Sequence, residues 1–397
     1  MSQETTLTVK SKYVNKYSKG YPLIQKSSLV NPEKLKEEGA ILKLLDERGG
    51  FIGKGYHGLQ NKGLGWLLTL KEEEIDRDFF KKSLQKAISL RKKFFSADDT
   101  NAFRIFNGEG DGIGGLTIDN FNGYYLINWY SEGIFTFRDY VLESLTELIE
   151  YQAIYEKKRF GKQGQYIEED EFVTGERGDF PIIVKENGVS FAVYLNEGAM
   201  VGVFLDQREV RKKIRNEYAQ GKKVLNTFSY TGAFSVFAAL GGASHTTSVD
   251  LANRSYAKTI ENFSLNGVDY EVQDIVVEDV FQYFKYAKRK DKKFDLVVLD
   301  PPSFARSKKT TFRAEKDYTK LLKETIEITE RDGVVVASTN CSKFNMSKFK
   351  SFAETAFNEM GRKYKIVEEY SLPNDFKTSS QFKEGNYLKV LFIRIEG

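Results

Sequence analysis

Two apolar runs in this chain each end in residues able to do chemistry. FDLVVLD, residues 294–300, delivers the carboxylate of Asp300 into Pro301-Pro302-Ser303-Phe304. Prolines fix φ and leave nearby carbonyls without local amide partners. Asp300 and those carbonyls can hydrogen-bond the edge of a base turned out of its stack, although a purely structural turn uses prolines in the same way. GVVVAST, residues 333–339, ends in Asn340-Cys341-Ser342, at the mouth of a strand expected beside the first. A lone thiol serves either as a small buried apolar group or, once ionised, as a nucleophile.

Three further strand ends carry candidates. Asn226-Thr227-Phe228-Ser229-Tyr230-Thr231-Gly232 leaves a strand, turns tightly and enters a helix. Small residues and Gly232 permit a nucleotide-like ligand to approach the backbone. The stretch is not G-x-G-x-x-G, and an ordinary strand-to-helix loop looks the same. Asp250 lies 24 positions after Asn226, near the spacing at which an acid reaches ribose hydroxyls. Asp279 follows the next strand and could accept from an adenine amino group. Both aspartates also fit as helix N-caps.

The elements that must position these residues alternate from about residue 222: KKVLNTF, AFSVFAAL, HTTSVDL, RSYAKTIENFSLNG, and so on to YLKVLFIRI. Strand alternating with helix predicts a doubly wound, mostly parallel α/β sheet, with ligands outside the carboxyl ends of its strands. The last two strands lack a helix between them and predict a hairpin that adds an antiparallel strand. Upstream, residues 1–70 read as short strands separated by glycines, a small β-rich barrel. Residues 71–95 read as one amphipathic helix. Strand–turn–strand–turn–strand then runs to about 130, with a helix near 135–150, strands near 151–158 and 181–195, and a polar loop over 161–180.

Composition removes whole classes of chemistry. The histidines, His57 and His245, and the single cysteine cannot supply a three- or four-ligand Cys/His zinc site, so no metal is expected. Neither histidine sits near a nucleophile elbow. One cysteine forms no internal disulfide and agrees with a reducing compartment. No run approaches the ~20 apolar residues of a membrane span, and MSQETTLTVKSKYV lacks the apolar stretch of a signal peptide. A cytoplasmic protein without membrane contact is expected. The first 70 residues hold eleven basic side chains against six acidic ones, in a chain of net charge +4. That asymmetry suits a polyanionic partner and equally a solvated lysine-rich surface. Arg306, Lys308, Lys309 and Arg313, just past Asp300, stand where phosphates beside a bound base would lie, or on a solvated loop. A homodimer is compatible with the sequence.

Taken together, LNTFSYTGAFS, SVDLANRS, the following LNG, LDPPSF and STNCS, with FLDQR at 204–208 and RIFNGEGDGIGGLTID at 104–119, resemble the RNA (cytosine-C5)-methyltransferases. The branch most resembled is the bacterial large-subunit rRNA type with an N-terminal PUA domain. The resemblance runs along nearly the whole chain, strongest over about 190–345 and thinnest over the first 70 residues. It implies a PUA-like RNA-binding barrel at 1–70, an α+β middle domain at 71–188 and a Rossmann-like class I methyltransferase domain at 189–397.

The implied cofactor is S-adenosyl-L-methionine and the implied partner is rRNA, naked or in a subunit precursor. The Asn226–Gly232 loop would hold the methionine part, Asp250 the ribose and Asp279 the adenine, with Gln207 and Arg208 near or over the cofactor. Pro301, Pro302, Ser303, Phe304, Arg306 and Lys308 would line the substrate. Asp300 would bond N3 of cytosine and Cys341 would attack C6, making C5 nucleophilic; Lys343 or Lys308 would favour the thiolate. Two departures stand out. Pro-Pro-Ser replaces the second cysteine that many such enzymes carry beside Asp300, which agrees with the PUA-bearing branch. Asp375-Phe376-Lys377 stands where the family often has Asp-His-Pro, a departure that points to a different contribution from that loop or to a different target. A purine N-methyltransferase with a structural Cys341 and a non-catalytic RNA-binding assembly factor are the alternatives. A nicotinamide oxidoreductase fits less well, for want of the glycine fingerprint.

Overall fold

The computed structural model describes residues 4–60, 63–161, 172–198, 200–306 and 311–397. They form two compact units, and neither is a continuous stretch of chain. The first holds Met1–Val184, Val193–Val201 and Asn374–Gly385; the second holds Lys185–Ala192, Gly202–Pro373 and Asn386–Gly397.

The first unit begins with a five-stranded sheet of β1 (Thr5–Thr8), β2 (Leu23–Gln25), β3 (Ile41–Leu45), β4 (Phe51–Gln60) and β5 (Gly63–Thr69), in the order β1-β3-β4-β5-β2. The glycines that read as separators lie inside these strands. A Cβ at Gly55 would collide with the Trp66 carbonyl, and one at Gly65 with the Tyr56 carbonyl, so β4 and β5 approach closely only because both positions are bare. A helix that the strand reading missed, α1 (Ser11–Ser18), buries Tyr17, whose hydroxyl lies 2.7 Å from Ser28 Oγ.

A second sheet follows, ordered β10-β9-β8-β7-β6, from β6 (Ala102–Asn107), β7 (Leu116–Phe121), β8 (Tyr124–Trp129), β9 (Ala153–Lys158) and β10 (Phe172–Gly175). Helices α2 (Arg77–Leu90) and α3 (Lys92–Phe95) precede it. Asp76 caps α2 by accepting from Phe79 N at 3.0 Å, and the helix buries Phe80, Leu84 and Ala87 at helical spacing. The single helix read over 71–95 breaks at Arg91, which turns inward. α4 (Glu132–Phe135) and α5 (Arg138–Leu148) link β8 to its parallel neighbour β9.

Residues 374–385 are stitched into this unit by buried polar contacts. Arg91 meets both carboxylate oxygens of Asp111 at 2.9 and 2.7 Å and donates to the Asp375 carbonyl at 3.1 and 2.6 Å. Arg104 N donates to Asp375 Oδ2 at 3.0 Å, and the Arg104 guanidinium pairs with Asp119 while lying 4.3 Å from the Phe376 ring centre. Asn107 Nδ2 donates to the Lys377 carbonyl at 2.8 Å. The Asp-Phe-Lys departure is thus a packed structural element of this unit.

The second unit is built on seven strands: β13 (Lys223–Thr227), β14 (His245–Asp250), β15 (Asp274–Val277), β16 (Phe294–Leu299), β19 (Thr329–Thr339), β20 (Lys363–Tyr370) and β21 (Lys389–Glu396). Their order is β15-β14-β13-β16-β19-β21-β20. β21 runs antiparallel to both its neighbours while the other pairings are parallel, as the helix-free link between the last two strands required. The remaining helices are α6 (Arg208–Lys213), α7 (Ala233–Leu240), α8 (Asn253–Leu265), α9 (Val280–Arg289), α10 (Ala314–Ile326) and α11 (Met346–Glu359). Leu225, Val297, Leu299, Val335, Leu391 and Ile393 are fully buried along the central strands, which explains their near-continuous apolar runs. The hairpin of β11 (Ile182–Glu186) and β12 (Val189–Val193) spans the boundary between units along the chain, and a short ribbon, β17 (Phe304–Arg306) with β18 (Thr311–Arg313), follows β16. Among the described residues no helix is long and apolar enough to cross a membrane.

Candidate active site

All the described candidates belong to the second unit and cluster at the carboxyl ends of β13, β14, β15, β16 and β19. The strand order reverses between β13 and β16, the place where an open α/β sheet opens a crevice for ligands.

The loop after β13 is wound unusually tightly. Phe228 (φ 55°), Tyr230 (φ 51°) and Gly232 (φ 75°) all occupy the left-handed region, which costs a non-glycine residue of order 1–3 kcal/mol. The winding is held by neighbours. Ser229 N donates to the Val249 carbonyl at 3.1 Å, Thr231 Oγ1 to the Gly202 carbonyl at 2.6 Å, and Asn262 Nδ2 to the Thr231 carbonyl at 2.9 Å. A Cβ on Gly232 would strike the Thr259 side chain at 2.5 Å, so glycine there lets α8 close on the loop. Asn226 donates to Ser235 Oγ at 3.0 Å, and its Oδ1 is a buried acceptor with no partner among the described residues.

The two outer aspartates differ. Asp250 is not a helix cap: Oδ2 accepts from Tyr230 N and Oδ1 from Ala252 N, each at 2.9 Å, so it ties the β13 loop to the end of β14. Every carboxylate oxygen has a further lone pair, enough for a diol. Asp279 does cap α9, accepting from Phe281 N at 2.9 Å and Gln282 N at 3.3 Å through Oδ1, which leaves Oδ2 for another donor.

Asp300 follows Leu299, which pairs with Ala337 of β19, so Asp300 lies opposite Ser338. Gln207 Nε2 donates to Asp300 Oδ1 at 3.0 Å and to Ser338 Oγ at 2.6 Å. Burial pushes the Asp300 carboxyl up to about 6; the nearby Asp206 charge adds to the rise, while the Ser338 hydroxyl, Arg211 and Gln207 oppose it. Three residues beyond Ser338, Cys341 is 4% exposed, and its N–H donates to Thr339 Oγ1 at 3.2 Å. Ser303 Oγ donates to Asn340 Oδ1 at 2.6 Å, joining the Asp-Pro-Pro turn to the cysteine turn. Pro301 is buried; Pro302 and Phe304 are exposed, Phe304 by 55%, with Arg306 also exposed on β17.

Several assignments shift. Gln207 reaches the Asp300 carboxyl, and Arg208, the first residue of α6, is almost wholly buried. Lys343 extends into solvent and pairs with Glu315 at 2.5 Å, so it is not the cation for Cys341; Lys308 and Lys309 lie outside the described residues. A basic side chain the sequence reading did not single out, Lys389, stands near this strand end. It pairs with Thr339 across β19 and β21, donates to the Tyr387 carbonyl at 2.6 Å and lies 5.5 Å from the Phe344 ring centre. Burial holds its ammonium below the usual lysine range, which charge on Cys341 opposes. Sequence reasoning missed Lys389, Ser338 and Tyr318, whose hydroxyl donates to the Ser338 carbonyl at 2.6 Å. The available signals were a lysine inside the apolar strand YLKVLFIRI and a serine one residue short of the end of GVVVAST.

The site fits an adenosyl-sulfonium ligand: a wound backbone, an orphaned buried acceptor at Asn226, and carboxylates ending successive strands. Comparison with known proteins agrees. Residues 104–392 match the model of the S-adenosylmethionine-dependent methyltransferases, and residues 7–70 match a PUA-like domain. YwbD of Bacillus subtilis, provisionally named a ribosomal RNA large subunit methyltransferase, is 61% identical over 98% of this chain and 99% of its own. Ribosomal RNA large subunit methyltransferase I of Alteromonas mediterranea is 30% identical over 94% and 95%. The crystal structure of SMU.776, provisionally a methyltransferase, complexed with SAH, superposes with a TM-score of 0.91 at 38% identity, covering 98% of this chain and 99% of that one.

Proposed function

The chain belongs to the S-adenosylmethionine-dependent methyltransferases, and we propose that it methylates C5 of a cytosine in large-subunit rRNA through a covalent Cys341 intermediate. The observation that carries this reading is the pairing, at the ends of adjacent strands, of the only cysteine with an acid raised to about 6. The rRNA substrate follows the names of the relatives, and the basic residues of the N-terminal barrel supply phosphate contacts. The work is divided among a PUA-like domain at 1–70, a middle domain at 71–188 and a methyltransferase domain at 189–397, whose residues 374–385 return to pack with Arg91, Arg104 and Asn107, in the cytosol.

C5 of cytosine is a poor nucleophile. The Cys341 thiolate forms a bond to C6, the C5=C6 pair moves into conjugation with N3, and Asp300 gives its proton to N3, leaving an enamine nucleophilic at C5. S-adenosyl-L-methionine supplies an electrophilic methyl group on a sulfonium. The Asn226–Gly232 loop, Asp250 and Asp279 hold it so that the methyl faces C5. Loss of the C5 proton to a base then restores C5=C6 and expels Cys341 as thiolate, and N3 returns its proton to Asp300. Pro302, Ser303, Phe304 and Arg306 line the path of the RNA.

Cys341 also packs in the apolar core, which is the observation that favours the other reading, a purine N-methyltransferase with a structural thiol. Nucleoside mass spectrometry on unmodified large-subunit rRNA treated with wild type and Cys341→Ala separates them. The proposal expects 5-methylcytidine from wild type and none from the variant. A methylated purine from both overturns it.

A further inference from the structure

We propose that Gln207 is a positioning residue for the acid: its amide holds Oδ1 of Asp300 as an acceptor, which orients the carboxyl and favours the proton on Oδ2, where it meets the base. The inference rests on the cytosine-C5 reading and assigns Gln207 to the acid and not to the cofactor.

The geometry is closed on one side. Gln207 is 3% exposed, in the turn Leu205–Gln207 that leads into α6. Its Nε2 faces Asp300 Oδ1 at 3.0 Å and Ser338 Oγ at 2.6 Å, so both amide hydrogens have acceptors. Ser338 Oγ accepts from the amide, and the Ser338 hydroxyl beside the Asp300 carboxyl opposes the rise that burial causes. Only the NH2 side of the amide can face two acceptors, and this fixes its orientation. Ser338 is in turn fixed from below, where Tyr318 donates to its carbonyl at 2.6 Å. An oxygen that already accepts an N–H is the less basic of the two, although it keeps a second lone pair, so protonation is favoured at Oδ2.

The charged groups around Asp300 do not do this. Arg211 is committed to both oxygens of Glu186 at 2.7 Å each, and Asp206 accepts from the Tyr387 hydroxyl at 2.8 Å. They bias the ionisation of Asp300 without selecting an oxygen. Gln207, which carries no charge, donates directly to Oδ1.

The test is the pH profile of kcat/KM on large-subunit rRNA for wild type, Gln207→Leu and Gln207→Glu, with S-adenosylmethionine affinity measured for each. Leucine removes both donors at similar volume. Glutamate keeps the shape and places a second carboxyl against Oδ1, so that the pair shares one proton. The limb in which Asp300 titrates is expected to move up by about one unit in both variants. An accompanying fall in kcat of about 10–10²-fold is expected, with S-adenosylmethionine affinity within twofold of wild type. Should leucine fail to fold, glutamate carries the test alone. An unmoved limb, or a loss confined to cofactor affinity, overturns the inference while 5-methylcytidine formation by wild type leaves the functional reading intact. A methylated purine from wild type and from Cys341→Ala overturns the functional reading itself.

Discussion

Each unit buries aspartates, and they are treated in opposite ways. Asp111 in the first unit is met head-on by Arg91 through two short bonds, with Asn107 N donating to it at 2.7 Å. Asp300 in the second unit receives an uncharged amide from Gln207 and has the Ser338 hydroxyl beside it, and Arg211, whose charge reaches it, is already bound to Glu186. A bidentate cation makes a buried carboxylate structural. Without one, desolvation lifts the acid towards neutral pH, where it can trade a proton with a ligand. The lesson is that the partner of a buried aspartate says more about its role than its depth does.

The comparison can be broken at several points. Asp300→Asn should lower kcat by about 10²–10⁴-fold with the fold intact; a loss under threefold in single-turnover methylation would make Asp300 as structural as Asp111. Arg91→Ala should destabilise the protein by about 3–5 kcal/mol, because Asp111 is left buried and unpaired; urea melts with an unchanged midpoint would show that the pairing contributes nothing. A third effect runs against intuition. The unfolded chain releases the Asp300 proton near 3.8 and the folded chain near 6. Between those values the folded state binds more proton, and stability falls as pH rises; the full cost is present above about 6. Asp300→Asn should therefore be more stable than wild type at pH 8 by up to about 3 kcal/mol, an advantage that fades as pH falls towards 4. Melts giving the opposite trend would place a cation beside Asp300. Smallest is Asp279→Asn, which keeps the cap of α9 and should shift stability by only a few tenths of a kcal/mol while raising KM for S-adenosylmethionine. An unchanged KM would leave Asp279 a cap and nothing more.

The α/β half was legible because its signals are local. Buried parallel strands write themselves as apolar runs, and Asp250 and Asp300 stand at the carboxyl ends of β14 and β16 as those runs indicated. What stayed hidden depended on distant pairing. Ser338 matters because β19 lies beside β16 in a particular register, and Lys389 because β21 inserts antiparallel between β19 and β20. The resemblance implied a place near the cofactor for Gln207, and FLDQR lies far from LDPPSF in sequence, so only the fold shows Nε2 meeting Oδ1. In the barrel, Gly55 and Gly65 were taken as breaks although close strand approach, not turning, calls for them. The helix α1 escaped because SKYVNKYS buries little beyond Tyr17.

The excursion of residues 374–385 into the first unit has a consequence for how the protein is made. When Val184 has been synthesised, nearly all of that unit exists as chain, yet Arg91, Arg104 and Asn107 still lack the Asp375 and Lys377 groups they bond. At about 5–20 residues per second, those partners follow roughly 10–40 s later. For that interval the nascent first half must wait with a polar seam unsealed. A fragment ending at the apparent domain border would carry the same open seam for good.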